Sequence, residues 1–292
     1  MRPAATLELN ANAKVNLGLA VIARRGDGFH EVETWMARIS LADTLVVTIV
    51  EDPGVTLSLQ GVHDVPVDGT NLAVRAAEAY LGRLAELTGA TAPGVRIDLT
   101  KRVPVAAGLG GGSSDAGAVL RALTELLPLA DTASSRDEVL KLAAALGSDV
   151  PFFAADMAFA LAKGRGERLA PAPAYLGHLV LVNPGLHVSA ADAYRSLVGF
   201  SPRLKVESLL ERLANGEEPR WHNALQAGVQ RAHPVIRDVI GALKTAGARG
   251  ALMSGSGSTC FGLAADAAEA HSMVEEISAA RPEWWVHHVV TG

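Results

Sequence analysis

The chain has 292 residues, of which 49% are hydrophobic, 20% charged and 4% aromatic, and its formal net charge is -5 at pH 7. That balance excludes a disordered chain, suits one large domain or two ordinary ones, and argues against nucleic acid as the main partner.

The first hundred residues read mostly as strands. In "AKVNLGLAV", Val15, Leu17, Leu19 and Val21 alternate with Lys14, Asn16, Gly18 and Ala20, the period of a half-buried strand with Lys14 and Asn16 on its outer face. "RRGDGFH" is a turn, and "DTLVVTIV" and "GVTLSLQG" are further strands. A helix follows "DGTN", with Leu72, Ala76, Ala77, Tyr80, Leu81 and Leu84 on one side and Thr70 or Asn71 as its cap. "GVRIDLT" is a strand. Next comes a glycine-rich segment and a helix with Ala116, Val119, Leu120, Leu123 and Leu127 on one face, closed by Pro128. A third helix starts near Ser135, which has capping-box spacing to Glu138, and ends at Gly147.

"AFALAKGRGERL" crosses into a second region, with the boundary near residue 160: an N-terminal domain of residues 1–160 and a C-terminal domain of 161–292. The second opens on the strand "HLVLVNPG". Helices follow around Ala190–Leu197, Glu207–Ala214, Ala224–Arg231 and Val235–Thr245. "GALMSGSGSTCFGLA" reads as two strands around a small-residue turn, and a helix to Ala280 and the strand "WWVHHVV" close the chain. The fold class is α+β in two parts.

Cys260 is the single cysteine, so no intrachain disulfide forms, which fits a reducing compartment. The opening residues have no signal-peptide core and no run of about 18 apolar residues occurs. The expectation is a cytoplasmic protein without a membrane span.

"VPVAAGLGGGSSDAGAVLRAL" poses the functional question, because glycines are entropically costly without a reason. A flexible linker does not fit a segment wedged between a strand and a periodic helix. A tight structural turn and a phosphate-binding loop both fit: glycine lets anionic oxygens reach backbone N–H groups at a helix start. Ser113 and Ser114 either cap that helix or donate to phosphate. The segment has no Gly-Lys pair for a P-loop, and serine at 113 breaks the G-x-G-x-x-G that Gly108 and Gly110 begin.

The segment "PVAAGLGGGSSDA" resembles the P-x-x-x-G-L-G-S/G-S-S signature of the GHMP kinases. "AKVNLGL" resembles that family's N-terminal motif and "GARGALMSGSGSTCFGL" its C-terminal glycine-rich motif, in the same order. The resemblance implies a mixed-sheet nucleotide-binding domain, a C-terminal α/β plait-like domain and an active site in the cleft between them. "RRGDGFHEVET" and "GSDVPFF" are similar to the branch of the family that phosphorylates a cytidine-diphosphate-bearing sugar alcohol for isoprenoid precursors. The implied activity is direct in-line transfer from ATP, with Mg²⁺, to a hydroxyl of that small molecule. The alternatives are a family member acting on mevalonate, homoserine or a sugar, and a non-catalytic nucleotide sensor. The expected protein is a monomer or weak homodimer with no nucleic-acid or membrane partner.

Each residue implied by the resemblance also has a plainer reading. Asp149 matches the catalytic base, and before Pro151 it also suits a helix cap. Lys14 matches the motif lysine that neutralises charge at the transferring phosphate, and is otherwise a solvated strand residue. Asn16 orients a reacting group or satisfies backbone. Phe29 stacks on cytosine or packs in a core, while His30 bonds the polar edge of the base or sits in solvent. Tyr194 flanks the base from its other side or faces the core. The resemblance places Pro104, Gly108, Leu109, Gly110, Gly111, Gly112, Ser113 and Ser114 along ATP, with Asn71 and Leu72 near its adenine; Asn71 also suits a cap. Ser254–Gly257 is a hairpin turn, or flanks the cleft and touches diphosphate through its backbone. The nine histidines have no metal-ligand spacing, and His287 and His288 point to opposite faces of a strand. No protein ligand for Mg²⁺ is assigned.

Overall fold

Two long strands begin the fold. β1 (Thr6–Arg24) pairs with β2 (His30–Val50), and the turn between them contains Gly28 at φ 85°. The structure is a computed structural model that describes residues 5–61, 65–129 and 132–292. The chain falls into two compact units, and β1 and β2 each contribute to both.

The first unit comprises residues up to Ala13, Leu41–Val105 and Gly110–Met157. Its strands β3 (Val55–Gly61) and β4 (Gly94–Lys101) are parallel, and β4 is antiparallel to the end of β2, in the order β3-β4-β2. The sheet is therefore mixed, as expected. Helices α1 (Leu72–Thr88), α2 (Gly111–Leu126), α3 (Thr132–Leu146) and the short α4 (Val150–Ala154) complete it. Leu45, Val47, Ile97 and Leu99 of the sheet share one core with Ala73, Ala76, Ala77 and Tyr80 of α1 and Ala116, Val119, Leu120 and Leu123 of α2. Small residues allow close helix packing: a Cβ on Gly117 would lie 2.5 Å from Phe153 Cβ.

The second unit comprises Lys14–Ser40, Ala106–Leu109 and Ala158–Gly292. The single boundary near 160 read from the sequence divides the chain differently, since these units exchange segments. Here the start of β2 pairs with β5 (Phe159–Gly164), which forms a hairpin with β6 (Arg168–Pro171). An antiparallel sheet follows, built from β7 (His178–Asn183), β8 (Ala251–Met253), β9 (Cys260–Ala264) and β10 (Trp285–Val290), in the order β10-β7-β9-β8. Between β7 and β8 run α5 (Ala190–Arg195), α6 (Val206–Ala214), α7 (Gln226–Ala232) and α8 (Val235–Thr245); α9 (Ala267–Ala280) joins β9 to β10. With helices between the outer pairs and a direct β8–β9 link, this is the split βαβ plait that was expected. Val180, Val182 and Cys260 of its sheet pack with Val239 and Leu243 of α8 and Met273 and Ile277 of α9.

Three local readings need correction. β1 is not half-buried: Lys14 and Asn16 are each 3% exposed, because the segments carrying Gly108 and Ser254 fold over the face that alternation assigns to solvent. α3 begins at Thr132, so Ser135 lies inside the helix and does not cap it. The N-cap of α2 is Gly110, at φ 72° and with no side-chain bond, so neither serine fills that position. The first half of β2 carries no strand assignment in the sequence reading.

Candidate active site

In the second unit three glycine-bearing segments meet. A Cβ on Gly108, at φ 75°, would lie 2.2 Å from Ser254 O and 3.0 Å from Gly257 N, so only glycine fits. Thr259 N–H donates to Ala107 O (3.1 Å), and Ser254 Oγ donates to Gly108 O (3.0 Å). The 106–109 segment is thereby fixed to the turn between β8 and β9. Lys14 joins both: its N–H donates to Leu109 O (3.0 Å) and its Nζ to Gly108 O (2.9 Å) and Asn16 Oδ1 (2.7 Å). Asn16 in turn donates through Nδ2 to Thr34 Oγ1 (2.8 Å), and its backbone N–H donates to Ser254 Oγ (3.2 Å). A Cβ on Gly255 would approach Asn16 Oδ1 to 3.1 Å and Lys14 Nζ to 3.3 Å. A buried ammonium is costly unless its protons are engaged, and Gly108 O and Asn16 Oδ1 engage the Lys14 ammonium.

Thr34 and Asn223 hold this cluster, and the sequence reading misses both. Asn223 Nδ2 donates to Met253 O (2.7 Å) and Gly255 O (2.8 Å), clamping the second glycine turn. Neither residue carries a local spacing signal.

The same unit carries the three aromatic candidates. Phe29 is 53% exposed, which removes the core-packing reading, and the Arg165 guanidinium lies 5.0 Å over its ring. Asp27 Oδ1 accepts from Phe29 N–H at 3.1 Å and fixes the turn. His30 stacks on Tyr194, with ring centroids 5.0 Å apart and planes 15° apart. The expectation set them as separate contacts to one base; the structure pairs them directly.

The first unit holds the other motif residues. Pro104 is buried beyond β4. α2 starts at Gly111, and the Ser114 N–H bond to Gly110 O (2.8 Å) closes its first turn. The N–H groups of Gly111, Gly112 and Ser113 therefore stand ahead of the helical ladder. A Cβ on Gly112 would meet only Leu72 Cδ1, at 3.7 Å. These bare amides at the positive end of a helix fit an anionic group such as a nucleotide phosphate. The two serines differ: Ser113 is partly exposed, whereas Ser114 is buried and donates to Asn12 O at 2.7 Å.

Asn71 caps α1, its Oδ1 accepting from Ala73 N–H (2.9 Å) while its Nδ2 donates to Pro66 O (2.6 Å). Asp149 occupies the N-cap position of α4, and its carboxylate makes no capping bond there. Pro151, Phe152 and Phe153 are buried and anchor that short helix.

His288 and His287 do face opposite ways. His288 Nε2 lies 3.0 Å from His178 Nδ1, while His287 stacks on Trp285. Among the described residues no group of three or more His, Cys, Asp or Glu is arranged to hold a metal ion. Burial pushes the Cys260 thiol far above its usual range, so it is packed and unreactive. Among the described residues no helix is long and apolar enough to cross a membrane.

The first unit is a mixed sheet with a glycine-started helix, and the second is a plait with its own glycine turn. Residues 71–162 match the GHMP kinases N terminal domain and residues 205–283 the GHMP kinases C terminal domain. The chain belongs to the GHMP kinases, which are ATP-dependent enzymes. It is 45% identical over 280 residues to 4-diphosphocytidyl-2-C-methyl-D-erythritol kinase of Deinococcus radiodurans, covering 94% of this chain and 90% of that one. The kinase of the same name from Thermus thermophilus is also 45% identical, over 95% of each chain. A crystal structure of 4-(cytidine 5'-diphospho)-2C-methyl-D-erythritol kinase matches with a TM-score of 0.83 and 43% identity, over 98% of this chain and 100% of that one.

Proposed function

We propose that this protein transfers the γ-phosphoryl group of ATP to the 2-hydroxyl of 4-diphosphocytidyl-2-C-methyl-D-erythritol. One observation carries the choice of substrate: the 45% identity to a kinase of that name extends over 94% of the chain. The site geometry supports the chemistry. ATP supplies the phosphoryl group, and Mg²⁺ enters on its phosphates.

The amides of Gly111, Gly112 and Ser113 take phosphate oxygens, and Leu72 borders the nucleotide. Because both ends of the Asn71 amide are committed to its own chain, Asn71 acts there as a cap. Lys14, buried and oriented by Asn16, offsets negative charge on the transferring group. Asp149 orients the acceptor hydroxyl and accepts its proton late, as a loose transition state permits. The exposed ring of Phe29 stacks on the cytosine, with His30 and Tyr194 completing its recognition. We place the enzyme in the cytoplasm, where the lone Cys260 thiol stays reduced.

The test is ADP release by wild type and Asp149→Ala with 4-diphosphocytidyl-2-C-methyl-D-erythritol, mevalonate and homoserine. Turnover should be confined to the cytidylyl substrate and fall on the order of 10²–10⁴-fold in the variant. Equal rates would reject the role of Asp149. Turnover confined to mevalonate or homoserine would reject the substrate, and no turnover on any of the three would favour a nucleotide sensor.

A further inference from the structure

Behind the first turn of α2, three ionisable side chains are buried together. Asp43 of β2 is fully buried, and Lys101 of β4 and Asp115 of α2 are 2% and 3% exposed. Lys101 Nζ donates to Asp43 Oδ2 and, at 2.8 Å, to Asp115 Oδ2. Asp43 is fully engaged, since its Oδ1 also accepts from the N–H groups of Arg102 (2.5 Å) and Val103 (2.9 Å). Asp115 is not: its Oδ1 is buried with no hydrogen-bond partner. The group lies against the glycine segment, because a Cβ on Gly111 would come within 3.4 Å of Lys101 Nζ and 3.0 Å of Val103 Cγ1.

Buried ion pairs seldom stabilise a fold more than apolar packing of the same volume, so stability alone does not account for this group. Two carboxylates share one ammonium. With both ionised the trio carries one net negative charge directly behind amides that bind an anion; with Asp115 protonated it is neutral.

The geometry points to Asp115 as a positioning residue that takes up a proton from solvent, onto its unpartnered Oδ1, when nucleotide phosphates dock on Gly111–Ser113. Lys101 and Asp43 hold the loop from behind, and Asp115 sets the charge the phosphates meet. Burial, together with the nearby Asp43 carboxylate, pushes the Asp115 carboxyl up to about 7, against the opposing pull of Lys101, so both forms are accessible near neutrality. Among the described residues, Arg75 and Glu78 of α1 and Arg136 and Asp137 of α3 are exposed, and Arg121 of α2 pairs with Asp156. α4 has no titratable residue, the Tyr80 hydroxyl of α1 donates to Leu127 O, and Arg83 of α1 pairs with Glu86 and with Glu138 of α3, which also pairs with Lys141. This rests on the proposal that the α2 amides bind ATP.

The experiment is calorimetric titration of the whole protein with Mg²⁺-saturated ATP near pH 7, in two buffers of different ionisation enthalpy. Wild type should take up a fraction of a proton per nucleotide, fading by pH 9. Asp115→Asn, which keeps an acceptor for Lys101 but does not ionise, should take up measurably less and bind ATP with a pH-independent affinity. Asp115→Ser serves if the asparagine variant does not fold, and the loss of wild-type uptake by pH 9 is a test that needs neither. Equal uptake in wild type and variant, or wild-type uptake unchanged from pH 7 to 9, overturns the inference. Hydrogen exchange separates the two claims. If ATP does not protect the amides of 110–114, the phosphate-binding proposal itself has failed; protection with equal uptake sinks only the proton linkage.

Discussion

The ammonium of Lys14 donates to Oδ1 of Asn16 at 2.7 Å, two residues along the same strand, and both side chains are buried. A lysine held this way has lost most of its rotamer freedom before any ligand arrives, so its charge needs no reorganisation to act. Lys14→Met should lower kcat on the order of 10²–10³-fold. The change leaves the Gly108 carbonyl and Asn16 short of a donor and should cost about 1–3 kcal/mol of stability. Steady-state kinetics beside a thermal melt checks both; a variant of full activity would remove Lys14 from the chemistry.

Gly108 and Gly112 should respond in opposite ways to alanine. At Gly108 the positive φ and the nearby Ser254 carbonyl oppose a side chain, and strain alone should cost about 1–3 kcal/mol. At Gly112 a Cβ meets no backbone, and alanine in a helix should stabilise by about 0.5–1 kcal/mol. That same methyl stands among the proposed phosphate amides, so the KM for ATP should rise while the melting temperature holds or increases. A Gly112→Ala enzyme with unaltered KM for ATP would argue that the helix start is structural only.

The stacked pair His30 and Tyr194 should report on the cytidine end of the substrate. Either alanine variant gives up an aromatic contact worth about 0.5–1.5 kcal/mol. The KM for the cytidylyl substrate should therefore rise by a few-fold to about tenfold, with the KM for ATP unchanged. A parallel rise in both constants would point to general loosening.

Stability should depend on pH through Asp115. Its folded value of about 7 lies above that of an unfolded carboxyl, about 3.9. Between these values the folded state holds the proton and the unfolded state does not, so stability falls as pH rises from about 4 to 7 and then levels off. Asp115→Asn should remove this component, gaining on wild type by a few kcal/mol at pH 8 relative to pH 4. Denaturant melts at the two pH values provide the measurement, and an identical gap between the proteins at both would contradict it.

Much of this architecture was legible in the sequence because it depends on local pattern. The helical stripe from Leu72, the Asn71 cap and the strand–turn–strand around Ser254–Thr259 all lie within a few residues of their own signals. What was not legible depends on distant chain. Lys14 looks solvent-facing because alternation cannot see that residues near 108 and 254 fold over it. Ser135 and Glu138 have capping spacing, but the helix has already begun at Thr132. Asp43, Lys101 and Asp115 lie 58 and 14 residues apart in sequence, and no periodicity marks them as partners. Of the site, the glycine helix start follows from composition, whereas the candidate roles of Asp149, Phe29, His30 and Tyr194 rest on family resemblance.

The second unit takes Lys14–Ser40 from the start of the chain and closes on Ser254, whose hydroxyl meets Asn16 N–H and Gly108 O. During synthesis, the segment carrying Lys14 meets Gly108 and Leu109 early but must wait for most of the polypeptide to leave the ribosome before the Ser254 turn can close on it. A fragment cut near residue 160 would keep Lys14 with Asn16, Gly108 and Leu109 but lose the Ser254 hydroxyl that joins them. This enzyme should depend on chaperones early in translation, and halves expressed separately should recover activity only when mixed.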